Sequence, residues 1–167
     1  MICEFDELSF LLGQTFSARN WTLATAESCT GGLLAGAVTA VPGSSAWFER
    51  GFVTYSNESK MELLGVTPAT LARHGAVSEE TAREMADGAI MHSHADVAIA
   101  ITGIAGPDGG SAAKPVGTVW LAWRRRCGNG GAQILCFSGN RETVRRDAVT
   151  VALERLIALA KTDLDLP

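Results

Sequence analysis

The chain lacks the residue groupings from which a metal centre or a redox pair is built. Its 4 cysteines, Cys3, Cys29, Cys127 and Cys136, include no CxxC pair, and its 3 histidines, His74, His92 and His94, form no cluster with them. No metal ligand set, no cofactor and no disulfide framework is therefore expected. Positive charge is also short: 14 lysines and arginines stand against 18 acids, a formal net charge of −4. That balance argues against a nucleic-acid partner, which calls for a basic face. No apolar run approaches the roughly 20 residues that span a bilayer, and the first residues lack the basic and apolar regions of a signal peptide. A cytoplasmic protein with reduced thiols and no membrane partner is expected.

What is present is enough apolar material for a core. Hydrophobic residues make up 47% of the 167 and charged ones 19%, which excludes disorder and suits one domain across residues 1–167. No internal repeat or linker divides the chain. Phe5, Leu8, Leu11, Leu12 and Phe16 recur at helical spacing and predict a helix over 5–19. Strands are expected over 21–26 and 47–55, with a helix between them that ends before Pro42-Gly43. Ser56-Asn57-Glu58-Ser59 starts a short helix over 60–64, Pro68 another turn, and Ser78 a longer helix to about residue 93. Residues 95–102 are apolar almost throughout, as a strand covered on both faces would be. Strands over 117–123 and 133–137 are too close for a crossover and predict an antiparallel hairpin, with Arg124-Arg125-Arg126 at its exposed tip. A last helix runs over 140–161. This alternation predicts an α/β fold, a three-layer α/β/α sandwich around a mixed, mostly parallel sheet of about five strands that includes one antiparallel hairpin.

Ligands of such sheets sit beyond the carboxyl ends of the strands. Four polar clusters follow strands here: Glu27-Ser28, Tyr55-Ser56-Asn57, Thr102-Gly103 with its glycine-rich loop, and Ser138-Gly139-Asn140-Arg141. Three of those strands, if parallel, bring their ends to one rim. The stretch from Thr25 to Gly32 hands a strand over to a helix, where free N–H groups and the helix dipole suit an anion or a developing oxyanion. The plainer reading is a helix start with Ser28 or Thr30 as N-cap. None of the histidines lies in a rim cluster, so a Ser–His–Asp triad lacks its base. Lys60, one turn past Tyr55, serves instead if burial brings its amine toward neutrality; the alternative is a solvated surface lysine. Arg141 at a helix start suits a phosphate, or else a surface ion pair with Glu142 or Asp147.

Several longer runs resemble a known family. Thr25-Ala26-Glu27-Ser28-Cys29-Thr30-Gly31-Gly32, Pro42-Gly43-Ser44-Ser45 and Tyr55-Ser56-Asn57-Glu58-Ser59-Lys60 are similar to the carboxy-terminal domain of competence/damage-inducible protein CinA. So are the runs His74 to Ser78, Thr102 to Gly110 and Pro115 to Val119, in order from about Trp21 onward. The resemblance implies a metal-independent serine amidohydrolase with a Ser/Lys dyad, acting on the carboxamide of nicotinamide mononucleotide and releasing ammonia. It implies Ser28 as nucleophile and Lys60 as base, with Tyr55 and Thr102 as supporting hydrogen-bonding groups. Ser45 also matches a family serine, which leaves open whether it relays a proton or attacks. The oxyanion donors are expected around Thr30 and Gly31, and Cys29 is a rival nucleophile by chemistry alone. Glu27, Thr30, Gly31, Gly32, Asn57, Gly103, Gly106 and Arg141 are the expected substrate-binding residues, with the phosphate near Arg141. Relatives often carry Asp where this chain has Asn140. The resemblance also implies a homodimer. Two other outcomes stay open: a nucleotide-binding module without turnover, and an amidase for another small carboxamide.

Overall fold

A computed structural model describes residues 4–162. In chain order the elements are α1 (Asp6–Arg19), β1 (Leu23–Glu27), α2 (Leu33–Thr39), a 3-10 turn (Ser44–Ala46), β2 (Phe48–Val53), α3 (Asn57–Leu64), α4 (Pro68–His74), α5 (Glu79–Met91), β3 (Val97–Gly103), β4 (Thr118–Arg125), β5 (Gly130–Cys136) and α6 (Arg141–Thr162). The 5 strands form one sheet in the order β2-β1-β3-β4-β5. β1 pairs in parallel with both β2 and β3, whereas β4 is antiparallel to β3 and to β5. β4 alone therefore runs against the rest. The carboxyl ends of β1, β2, β3 and β5 share one rim, so all of the polar clusters named above converge there.

Strand alternation sorts the sheet into two unlike faces. Leu23, Val97, Ile99 and Ile101 pack with α1, α2 and α6, where Leu12, Phe16, Leu153 and Leu156 are fully buried. Ala24, Ala26, Ala98, Ala100 and Ala122 face the other way, against Met85, Ala86 and Ala89 of α5 and Leu64 of α3. This alanine face lets its covering helices lie close. At the α3–α5 crossing a Cβ on Gly88 would come 1.9 Å from the Leu64 carbonyl oxygen, so only glycine fits. The close approach draws α3 over the sheet, and α3 carries Lys60.

One local expectation changes and another gains a detail. Neither Ser28 nor Thr30 caps α2; its N-cap is Gly32, at φ 97°, with no side-chain cap. The Glu27 carboxylate does that work, accepting from the N–H groups of Gly32, Leu34 and Ala35 at 3.1, 3.0 and 2.9 Å. An anion at a helix N-terminus is well placed electrostatically, and it leaves that terminus closed to any other anion. Arg126 stands at the exposed hairpin tip as expected, but it is not free of contacts. Its guanidinium donates to the carbonyls of Ala95, Ile90 and Ser93 and closes the end of α5. Elsewhere the expected caps form: Ser56 and Ser59 make a reciprocal capping box at α3, and Asn140 Oδ1 accepts from Thr143 N–H at the start of α6. Among the described residues, no helix is long and apolar enough to cross a membrane, and no group of acids, histidines and cysteines has the spacing of a metal site.

Candidate active site

Ser28 follows β1 directly, its N–H donating to Ile101 O at 2.9 Å as one more rung with β3. Continuing the alternation, Ser28 and Thr102 lie on the alanine face, in the layer of α3. Lys60, one turn into α3, is 1% exposed. Its Nζ lies 3.0 Å from Ser28 Oγ, 2.9 Å from the Thr54 carbonyl oxygen and 3.5 Å from that of Tyr55. No described carboxylate pairs with it. Burial without a counter-ion pushes the Lys60 amine below its ordinary 10.5, with Cys29 working the other way as the smaller influence. A neutral amine has two N–H bonds and one lone pair. With the Thr54 and Tyr55 carbonyls facing the N–H bonds, the lone pair is left for the Ser28 hydroxyl. Such an arrangement can accept the serine proton.

The pair opens into a cleft of about 220 Å³ also lined by Tyr55, Asn57, Ala76, Val77, Thr102, Gly103 and Arg141. Thr102 Oγ1 donates to Ala76 O at 2.8 Å, which ties the cleft wall to β3. Gly103 leaves no space for a side chain, since a Cβ would sit 2.7 Å from Val119 Cγ2. Across the mouth, Arg141 Nη2 donates to Tyr55 Oη at 2.7 Å and Nη1 to Gly106 O at 2.9 Å. Arg141 makes no ion pair with Glu142 or Asp147; Glu142 turns to Arg146 instead. A guanidinium free of carboxylates at the rim of a cleft is suited to an anionic ligand. A larger groove of about 630 Å³, walled by His74, Lys114, Trp120 and Ile134, contains none of the expected site residues.

Comparison with known proteins agrees with this architecture. The CinA C-terminal domain family model matches residues 6–160. The chain belongs to that family. "Nicotinamide-nucleotide amidohydrolase PncC" of Escherichia coli K12 is 56% identical over 153 residues, covering 92% of this chain and 93% of that protein. The protein of the same description from Pseudomonas putida is 51% identical over 156 residues, covering 91% and 94%. The crystal structure of competence/damage inducible protein CihA from Agrobacterium tumefaciens superposes with a TM-score of 0.92 at 48% identity, over 95% of this chain and 97% of that one.

Within this CinA-family domain some expected site residues do not meet. Ser45 sits in the exposed turn before β2, at the opposite end of the parallel strands from Ser28: Leu23 N–H donates to Trp47 O there, while Thr54 N–H donates to Glu27 O at the rim. The 6 residues of β2 at about 3.3 Å each put it roughly 20 Å away. It does not line the Ser28 cleft of its own chain. Glu27 is 0% exposed and spent on α2, so it is a cap and not a wall of the cleft. Gly32 N–H is bound by that same carboxylate, Gly31 N–H donates to Ser28 O at 3.0 Å, and Thr30 is wholly buried. The donors expected at Gly31 and Gly32 are thus already engaged, whereas no described hydrogen bond uses Thr30 N–H. Cys29 lines the cleft, and its N–H, next to Ser28, likewise makes no described hydrogen bond to another residue. The Cys29 thiol itself is pushed up to about 11, chiefly by burial, and stays protonated at neutral pH.

One residue was not foreseen. Arg145 reaches from α6 to the carbonyls of Cys29 and Thr30, at 3.1 and 2.9 Å. Its signal in the sequence is the four-residue spacing from Arg141, which puts both on one face of the last helix.

Proposed function

We propose that the chain is a nicotinamide-nucleotide amidohydrolase, and that Ser28 and Lys60 perform the reaction. The buried 3.0 Å contact between Lys60 Nζ and Ser28 Oγ carries the mechanistic part of this reading. The relatives of 51–56% identity that bear this activity in their names support the substrate. The carboxamide enters the cleft with its carbon at Ser28 Oγ. As the Oγ–C bond forms, the serine proton passes to the Lys60 lone pair and the carbonyl electron pair moves onto oxygen, near Cys29 N–H. The tetrahedral species collapses, the C–N bond breaks, and the proton goes from Lys60 to nitrogen, which leaves as ammonia. Water then attacks the acyl carbon, giving its proton to Lys60. The ester C–O bond breaks, Ser28 recovers its proton from Lys60, and the carboxylic acid leaves and gives up its proton to the released ammonia. Arg141 holds the phosphate at the rim, and Thr102 and Asn57 orient the amide and ribose. No cofactor takes part in this scheme. On the same reading the protein is a cytoplasmic homodimer, which light scattering at twice the chain mass checks.

The test is ammonia release from nicotinamide mononucleotide by the wild type, Ser28→Ala and Ser45→Ala. Ser28→Ala is expected to lose on the order of 10⁴-fold or more in kcat, as removal of a nucleophile does, and Ser45→Ala to keep wild-type rates. Full activity in Ser28→Ala removes this mechanism. Calorimetric binding of the nucleotide with no ammonia release replaces the reading by a binding module, and faster release from another small carboxamide replaces the substrate.

A further inference from the structure

We infer that Arg145 is a positioning residue for the acyl-transfer step: from α6 it clamps the loop after Ser28 so that the Cys29 N–H stays aimed into the cleft as the oxyanion donor. The inference rests on the Ser28 reading above and adds a residue outside the cleft to it. Four observations carry it.

The first is the bonding of the loop. Arg145 Nε donates to Cys29 O at 3.1 Å and Nη2 to Thr30 O at 2.9 Å. Two donors held in one rigid plane grip two successive carbonyls, a geometry that a flexible point charge such as lysine does not reproduce. The second is what this grip does to Cys29. The peptide on its N-terminal side is fixed through Ser28 O, which accepts from Gly31 N–H at 3.0 Å. The peptide on its C-terminal side is fixed through Cys29 O by Arg145. With both flanking peptide planes held, φ and ψ of Cys29 are set, and so is the direction of its N–H. In a trans peptide the N–H points opposite to the carbonyl, so the bond that turns Ser28 O back into the loop turns Cys29 N–H out of it.

The third observation is where the other ties of the loop fall. The N-terminus of α2, the natural place for an oxyanion, is filled by the Glu27 carboxylate. The far end of the loop is tied to α2 by Leu33 N–H, which donates to Thr30 O at 3.1 Å, whereas Cys29 O is held from the side of α6 by Arg145. The fourth is charge. No described carboxylate lies within ion-pair distance of Arg145, which spends its donors on neutral carbonyls. Its positive charge is left close to the peptide where negative charge would develop in the transition state.

An interaction made only as charge develops acts on kcat and leaves KM nearly alone. The measurement is therefore the split between kcat and KM for ammonia release in wild type, Arg145→Ala and Arg145→Lys, with thermal midpoints recorded for each. Arg145→Ala is expected to lower kcat on the order of 10- to 100-fold, less than outright removal of a donor, with KM little changed. Arg145→Lys should recover part of the loss, because an ammonium reaches one carbonyl at a time. Added guanidinium ion should restore activity to Arg145→Ala and none to Ser28→Ala. If Arg145→Ala does not fold, Arg145→Lys and its guanidinium response carry the comparison.

A second readout is independent of the nucleotide. Acylation of Ser28 by p-nitrophenyl acetate, followed by mass spectrometry, should be slowed in Arg145→Ala by about the same factor as kcat. Unchanged kcat and acylation in a folded variant overturn the inference, as does a rise in KM with kcat intact. A wild type that is acylated at Ser28 but releases no ammonia defeats the substrate reading alone, and the acylation ratio then decides the role of Arg145. A wild type not acylated at Ser28 overturns both.

Discussion

Replacing Lys60 by methionine isolates what the buried amine does, because methionine keeps most of the length and removes the nitrogen. Two effects of opposite sign follow. For catalysis, losing a positioned general base costs about 10²- to 10⁴-fold, or roughly 2.7–5.4 kcal/mol of barrier at about 1.36 kcal/mol per decade. For stability the change is favourable. A buried amine need never cost more than the price of shedding its proton, which from its ordinary 10.5 down to pH 7 is about 4.8 kcal/mol at roughly 1.36 kcal/mol per pH unit. Against that gain, the Thr54 carbonyl loses the donor it has at 2.9 Å, a loss of about 1–3 kcal/mol for a buried acceptor. Lys60→Met is thus expected to be more stable than wild type at neutral pH by no more than about 4 kcal/mol, with about 2–4 °C in midpoint per kcal/mol for a chain of this size.

The pH dependence separates this account from ordinary repacking. Burial holds the native Lys60 pKa below its unfolded value, so between the two the unfolded chain binds more protons and wild-type stability rises with pH. The burial cost is full below the native pKa and gone above 10.5. The advantage of Lys60→Met should therefore shrink as pH rises and reverse in the most alkaline samples, where only the lost Thr54 bond remains. Urea unfolding of both proteins from neutral pH upward, beside ammonia release, reads both effects. The Ser28→Ala/Lys60→Met double variant should be no slower than the worse single one, since the two groups act as a unit. A stability difference that ignores pH, a wild type more stable at neutral pH, or an active Lys60→Met would refute the reasoning.

Other expectations are narrower. The wild-type kcat/KM should rise with pH along a limb whose midpoint lies below 10.5, because only the neutral amine takes the serine proton; a falling limb in that range would count against Lys60 as base. Arg141→Ala should raise KM for nicotinamide mononucleotide roughly 10- to 150-fold, the worth of about 1.5–3 kcal/mol for a charged hydrogen bond, while leaving the dephosphorylated nucleoside unaffected; an equal penalty on both would move the phosphate elsewhere. Glu27→Gln should lose about 1.5–3 kcal/mol of stability with KM unchanged, and a raised KM at wild-type stability would return Glu27 to the substrate.

Much of this architecture is legible before any coordinates. The apolar run 97–102 reads as a doubly covered strand, and β3 lies at the centre of the sheet with 0% exposure at Val97, Ala98, Ile99, Ala100 and Ile101. The convergence at the rim is legible too, because it follows from strands followed by polar residues. What misleads is adjacency. Glu27 and Ser28 are neighbours in sequence, and successive residues of a strand point to opposite faces. Glu27 therefore enters the layer of α2, and Ser28 the layer of α3. Ser45 misleads for a related reason: it precedes its strand, and in a parallel pair that places it at the far end from everything that follows one. Lys60 was decidable. It stands four residues before Leu64, and both are buried in α3, so helical periodicity already puts the amine on the covered side. Arg145 needs tertiary information, since nothing local says that a guanidinium one turn into α6 will meet a loop some 115 residues earlier.

The ionisable groups around Ser28 are not equivalent, and the differences say which of them can move a proton. Glu27 is wholly buried, yet its oxygens take three N–H bonds at the positive end of α2, so its charge is used where it stands. Arg145 is half-buried and gives its donors to the Cys29 and Thr30 carbonyls, so it orients the loop. Cys29 is held protonated by the same burial that shields it. Lys60 alone combines near-complete burial, no counter-ion, and two carbonyls whose oxygens are as well served by a neutral amine as by an ammonium. Its charged and uncharged forms are therefore brought closer in free energy than those of any neighbour. The hydroxyl 3.0 Å from it is the one group in the cleft that gains from the difference.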